Sequence, residues 1–311
     1  MKLNHHTGLK SAPRHGFSLI ELLVVIVIIG ILMALILPAL RGVTGRAAVV
    51  EQSAEFSKID TSISQFASDM GVEPWSELVL TEDTTVTAWD ATPALSLSRT
   101  RIRRMWPQFS FSGQIDFNGD ALFTGDSGPD ATVTLSGSEC LLFFLGGIMN
   151  RDADGNGSID AAEAALPPAF VGFSKNPVNP FSKTGTNRQG PWFTFDVGRF
   201  QDSDNDGMPE YSPTLGDAKV PVHYASSNNG QGYFSGVAIY VQADGRTPWN
   251  KDGHQLIAAG ADGDFGFTPY PSSPTPATTR LVYANAASLA GRSPQESDNV
   301  ANFKPGSTLS D

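Results

Sequence analysis

Residues 17–40 form one nearly unbroken apolar run. No charge occurs from Leu22 to Leu40, and Glu21 is the single charged residue between Phe17 and Leu40. At about 1.5 Å rise per residue, a helix of that length spans the ~30 Å hydrocarbon core of a bilayer. The pattern then changes. Val49, Phe56, Ile59, Ile63, Phe66 and Met70 recur at spacings of three, four and seven, which predicts that the helix continues over 41–70 with one apolar face. Gly42 and Gly45 loosen the junction. Gly71 and Pro74 end the helix, the glycine at its C-terminal cap. Such a stripe needs a surface to pack on, and a sheet is the expected one.

From Val79 onward the chain reads as short β-rich runs separated by Gly, Asn, Asp and Pro clusters. The runs are Thr84–Trp89, Ala131–Leu135, Pro191–Val197, Val220–Tyr224, Gly236–Gln242 and His254–Ala259. Ser138–Met149 reads as a buried helix, apolar on most sides. After Gly266 the Pro-Tyr-Pro-Ser-Ser-Pro-Thr-Pro stretch is extended before a last docking segment. The predicted class is α+β: a long N-terminal helix packed on a β-sheet, followed by a loop-rich β region over 71–311.

Charge and composition sharpen this picture. The net charge is −11, and it becomes three units more negative once Lys2, Lys10 and Arg14 are removed with the first sixteen residues. That argues against general nucleic-acid binding and suits divalent cations. Cys140 is the single cysteine, so no disulfide can form within the chain. If the Gly- and Pro-rich remainder of the chain is exported, its loops need another tie, and metal is the first candidate. The basic segment before the apolar run favours an N-terminus on the cytoplasmic side, with the bulk of the chain outside.

A carboxylate inside an apolar span is costly unless it has a role, so Glu21 is a functional residue by default. The stretch from Gly16 through Phe17 to Glu21 and the following apolar run resembles the type IV pilin and type II secretion pseudopilin families. In those families a short basic leader ends in Gly, a prepilin peptidase cuts after it, and the new N-terminal residue, usually Phe, is methylated. The resemblance implies a leader over 1–16, cleavage between Gly16 and Phe17, and a transmembrane and assembly helix over 17–40. Glu21 stands where the family keeps its glutamate. Gly30 and Pro38 stand where many filament-forming members carry a helix-loosening Gly and Pro. It also implies a pilin-like α+β fold, the long helix packed on an antiparallel β-sheet with large loop insertions in an exported domain over 71–311, and a single-pass inner-membrane protein with that domain in the periplasm. Its partners would be copies of itself, other pseudopilins, the prepilin peptidase and the inner-membrane secretion assembly platform. Physically, the acid would pair with the free amine of a neighbouring subunit's Phe17 and set the register of a helical filament. A secretory signal fits less well, because its cut follows the apolar region.

Two acidic loops carry metal chemistry. Asp152, Asp154, Asn156, Ser158, Asp160 and Glu163 occupy the first, third, fifth, seventh, ninth and twelfth places of a calcium loop, with Gly157 at the turn. Ser158 would give its carbonyl, Asp160 would act through water, and Glu163 would bind with both oxygens. Hard oxygen donors at this density select calcium. The loop resembles EF-hand and dockerin loops, but Pro167-Pro168 cuts its exiting helix short, which makes a static clamp rather than a sensor. Asp202, Asp204, Asp206, the Met208 carbonyl and Glu210 repeat the first half of the pattern, with Pro213 where a closing acid would stand. Asp116-Phe-Asn118-Gly-Asp120 is either a third such loop or an Asn-Gly turn. Ala259-Gly-Ala-Asp262-Gly resembles a C-terminal calcium loop of the major pseudopilin, which would make Asp262 a ligand; a hairpin turn explains it equally.

Enzyme chemistry does not emerge. His5, His6 and His15 leave with the leader, and His223 and His254 each stand alone on a β-like run. No nucleophile elbow, zinc-protease motif or phosphate loop occurs. Cys140 sits in an apolar run as a small hydrophobe. The one basic cluster, Arg99 to Trp106, fits a charged edge strand, and no nucleic-acid partner is expected. The expected function is a structural, non-enzymatic subunit of a type II secretion pseudopilus, its exported domain stabilised by calcium. A type IV pilin for adhesion or motility, or a membrane-anchored calcium-dependent binding module, are the alternatives.

Overall fold

The computed structural model describes residues 18–82, 87–113, 115–118, 132–152, 154, 156, 160–164, 166–215, 220–234, 237–267, 280–289 and 294–311, with backbone alone at 36–44, 161, 164, 286 and 294. The chain divides into two compact units, 1–46 and 47–311. Helix α1 (Leu19–Met70) ends at Gly71, whose positive φ of 74° accommodates the cap. Short elements follow: β1 (Leu78–Thr81), α2 (Pro93–Met105), β2 (Thr132–Leu135), and α3 (Gly137–Leu141), which runs on as a π-helical turn over Leu142–Gly146. Then come β3 (Met149–Asn150), α4 (Ala161–Ala164), β4 (Ala169–Phe170), β5 (Phe173–Ser174), β6 (Arg188–Gln189), β7 (Phe200–Gln201) and β8 (Glu210–Tyr211). Last are β9 (His223–Ser226), β10 (Ile239–Val241), β11 (His254–Ala258), β12 (Arg280–Val282) and β13 (Val300–Ala301).

The second unit is α+β, but the single antiparallel sheet expected under the helix is replaced by small ones. The largest among the described residues has three strands in the order β13-β11-β9, antiparallel, with Leu256 opposite Tyr224 and Ile257 opposite both His223 and Ala301. β10 and β12 pair in parallel, and the other strands pair two by two. β11 separates two cores by its two-residue period. Leu256 and Ala258 join the core that contains the α1 stripe, while Ile257 and Ala259 join a second core with Tyr240, Phe265, Tyr283 and Leu309. Both faces of the strand are covered, so Leu256, Ile257 and Ala258 follow one another as apolar residues without alternation.

The α1 stripe packs as its spacing dictates. Phe56, Ile59, Ile63 and Phe66 are buried, and Val49 and Met70 are half-buried at its ends. They share one core with α3 and its π turn, and every residue from Gly137 to Met149 is buried. Phe66 meets Phe144 edge-on at 5.7 Å and Trp192 at 4.8 Å, geometries that add to area burial. The polar shoulders of the stripe are also engaged. Gln52 accepts the Thr214 backbone amide at 2.7 Å, Asp60 meets His254 at 2.8 Å, and Asp69 accepts the Trp192 indole N–H at 2.8 Å. Arg199 donates to both Glu55 oxygens at 2.5 and 2.8 Å, and the Tyr211 hydroxyl donates to the same carboxylate at 2.8 Å. Replacing Glu55 by Ala strands a mostly buried guanidinium, so it is expected to destabilise the fold by about 2–3 kcal/mol. Chemical denaturation of the two proteins checks this; an unchanged midpoint would show the pair to be neutral.

Several expected elements differ. Ala88–Asp90 is a 3-10 turn rather than the end of a strand over Thr84–Trp89, whose residues 84–86 lie outside the described ones. Pro191–Val197 forms no strand, because the Trp192 and Phe193 amides donate to the Leu145 carbonyl at 2.7 and 3.3 Å instead of to a neighbouring strand. The arginines read as an edge strand lie on α2, where the Thr92 hydroxyl accepts from the Leu95 amide and Pro93 opens the helix. Arg103 and Arg104 are exposed, while Arg99 and Arg101 are engaged within the fold. Arg101 donates to the Glu77 carbonyl at 2.5 Å and lies 4.3 Å from the Phe234 ring centre. Arg99 pairs with Asp90, and Arg103 lies over Phe111. The proline-rich stretch 268–279 lies outside the described residues.

Candidate functional site

Helix α1 opens with a reciprocal cap. The Ser18 amide donates to Glu21 Oε2 at 2.8 Å, and the Glu21 amide donates to Ser18 Oγ at 3.3 Å, which satisfies helix-end donors that have no partner within the helix. Gly16 and Phe17 lie outside the described residues. From Leu19 to Leu35 every side chain is exposed, including Leu19, Ile20, Leu23, Ile26 and Leu35, on all sides of the helix. A helix apolar all round is stable only when lipid or other helices cover it. Among the described residues no helix is long and apolar enough to cross a membrane; the side chains of 36–44, which complete the apolar run, lie outside them. A Cβ at Gly30 would meet nothing within 4 Å among the described residues, which leaves that flank open to a neighbouring helix.

The first acidic loop folds around its own carboxylates. Oxygens of Asp152, Asp154 and Glu163 lie within 4.8 Å of one another. The Asn156 amide donates to Asp152 Oδ1 at 3.1 Å and to Asp154 Oδ1 at 3.0 Å. Glu163 is buried, and its two oxygens accept the Asp154 and Asp160 amides, each at 3.1 Å. Asp160 caps α4 by accepting from the Ala162 and Glu163 amides. That cap turns Glu163 back into the loop, the place of a closing bidentate ligand. Ser158 lies outside the described residues. The described donors fit a hard cation by chemistry and mutual distance.

The second loop spans the hairpin between β7 and β8, where Gln201 pairs with Glu210. Here the expected ligands fall into two groups. Asp202 Oδ2 accepts the Gly207 amide at 3.1 Å, and Glu210 holds both the amide and the hydroxyl of Ser203. Those two acids staple the loop. Met208 is buried and its amide donates to Asp206 Oδ1 at 2.9 Å. The oxygens of Asp204 and Asp206 gather instead with one of Glu139 from α3, all within 4.8 Å. Burial first, then Asp206, pushes the Glu139 carboxyl up to about 9; burial and the neighbouring acids push Asp206 up to about 6. Glu139 was legible only as a lone acid in an otherwise apolar run, four residues after the end of β2.

The weaker acidic loop supports the second one. Asp116 binds Lys183 at 2.8 Å, and the Asn118 side chain donates to the Asp206 carbonyl at 3.4 Å; Asp120 lies outside the described residues. Near the C-terminus, the Asp262 amide donates to Asp298 Oδ2 at 3.4 Å, and burial followed by Asp262 raises the Asp298 carboxyl. A Cβ at Gly260 would overlap that carboxylate, so the loop needs glycine there. His223 is buried, contacts the Ala238 carbonyl at 2.7 Å, and is lowered to about 4 by desolvation. His254 does not stand alone but pairs with Asp60 on α1. Cys140 is buried, with its thiol pushed up by desolvation.

A family model described as the prokaryotic N-terminal methylation motif matches residues 12–37. No solved structure matches the chain. The motif is that of type IV pilin-like and pseudopilin N-termini, and it points to a membrane-anchored, exported structural subunit. Such subunits are processed by prepilin peptidase and assemble into filaments with pilin-type partners.

Proposed function

We propose that the chain is a structural subunit of a type II secretion pseudopilus, with a pilin-like fold whose exported domain is tied together by calcium at the two acidic loops. The observation that carries this is the methylation motif set on a helix that is apolar on every side, with Glu21 at its first turn. After cleavage the subunit is held in the inner membrane through residues 17–40, its exported domain lies in the periplasm, and it assembles with copies of itself and other pseudopilins on the secretion platform. The pseudopilus is favoured over a surface pilus by the Asp262 loop, which meets Asp298 from the closing segment, and by calcium ligands in a chain with one cysteine. Calcium would be bound by Asp152, Asp154, Asn156, Asp160 and Glu163 in the first loop, with the Ser158 carbonyl, and by the Asp202–Glu210 loop in the second. The ion would supply fixed positive charge that holds carboxylates from different segments together.

Mass spectrometry of the protein purified from cells that express a prepilin peptidase is expected to find an N-methylated Phe17 at the N-terminus, and peptidase-deficient cells should accumulate the chain with residues 1–16 attached. A mature terminus elsewhere would overturn the pilin-like reading. Loss of protein secretion, with surface filaments intact, on deleting the gene separates the pseudopilus from an adhesion or motility pilus.

A further inference from the structure

The Asp202–Glu210 loop lacks an acid at the place where a twelve-residue calcium loop closes, which Pro213 occupies. The fold brings one from elsewhere. Glu139 sits in the first turn of α3, fully buried, in the helix that forms the centre of the core. Its Oε2 accepts the Ser136 amide at 2.5 Å and completes a capping box. Its Oε1 is buried and meets no hydrogen-bond donor among the described residues. Yet a Glu139 oxygen lies within 4.8 Å of oxygens from Asp204 and Asp206. Three carboxylates this close repel one another, and the one without water has the most to gain from a cation.

The arrangement is held from both sides. Ser138 Oγ accepts the Tyr211 amide at 2.8 Å, which joins α3 to β8 at the foot of the hairpin. Asp202 and Glu210 staple the loop backbone and Asp206 Oδ1 accepts the Met208 amide, while oxygens of Asp204 and Asp206 stand beside Glu139. A cavity of about 380 Å³, lined in part by Ser136, Ser203, Asp204 and Glu210, adjoins the cluster. It gives room for the waters that a calcium ion with three carboxylate ligands still needs to reach six to eight oxygens.

We propose that Glu139, Asp204 and Asp206 form one calcium site, in which a buried helix supplies the closing ligand that the hairpin loop lacks. The inference rests on reading the acidic loops as calcium sites and adds which residues bind at the second. The ion then ties the β7–β8 hairpin to the centre of the core rather than to itself. Asp202 and Glu210 shape the loop.

The test uses the full-length protein in detergent, stripped of calcium, with bound calcium counted by equilibrium dialysis and titrated by calorimetry. Wild type is expected to bind two ions. Glu139→Gln keeps the capping box, since Gln serves there as well as Glu, and is expected to weaken one ion at least tenfold. Asp204→Asn, on the exposed loop, should weaken the same ion, with little further loss when the two are combined. Glu163→Gln should remove the other. If Glu139→Gln and Asp204→Asn both bind two ions as wild type does, Glu139 is not a ligand and the inference fails. A wild type that binds a single ion, lost in Glu163→Gln, overturns this site and leaves the first loop's calcium intact. A wild type that binds none overturns both.

Discussion

Glu21→Ala in the full-length chain is expected to abolish filament assembly, and Glu21→Gln is expected to do the same. The pair of variants separates two roles of one side chain. Glu21 caps its own helix with Ser18. Removing a cap costs about 1 kcal/mol, and Gln preserves this capping box. In a membrane-embedded assembly the carboxylate would also neutralise a neighbour's N-terminal amine. Breaking such a pair in a low-dielectric setting leaves an unpaired charge at about 3–5 kcal/mol, which is roughly 10²–10³ in subunit affinity. Capping alone predicts that Gln rescues what Ala loses; charge pairing predicts that neither variant polymerises. The measurement is the sheared or pelleted filament fraction from cells that express each variant at equal level. Wild-type filament yield from Glu21→Gln would remove the pairing mechanism. Retained calcium-dependent ligand binding without filaments would favour an anchored binding module instead.

Calcium removal should have the second large effect. Extracellular calcium modules bind at about 10⁻⁴–10⁻³ M, so at 5 mM calcium a site near the tight end stabilises the fold by about 2 kcal/mol. Two such sites give about 4–5 kcal/mol, or about 10 °C in Tm for a domain of this size. Chelation is therefore expected to lower Tm by that amount. Readdition of calcium should restore it, and magnesium, which demands tighter octahedral geometry, should not. The same Tm with and without chelator would remove calcium from the account of this protein.

How much of this was legible in the sequence depended on distance along the chain. The first acidic loop is local: its acids lie within twelve residues, their spacing sets the turn, and the fold gathers Asp152, Asp154 and Glu163 as the spacing implies. The α1 stripe was legible for the same reason, since a 3.6-residue period needs no partner to be seen. Helix α2 was missed because its arginines suggested a charged edge strand. Its cap signal, Thr92 followed by Pro93, was the better guide. In the second loop the spacing shows five candidate oxygens alike, and only packing separates Asp202 and Glu210, which hold the loop's own backbone, from Asp204 and Asp206, which lie beside Glu139.

By itself the sequence determined the N-terminal segment, the helix and the first acidic loop, because each is written in neighbouring residues and in the period of one element. The tertiary structure alone decided that the expected single sheet is several small ones among the described residues, that the basic cluster lies on a helix with only Arg99 and Arg101 engaged within the fold, and that Glu139 meets the second loop. Each of these brings together residues tens of positions apart. Chain folding, rather than local spacing, sets which buried carboxylate meets which exposed one.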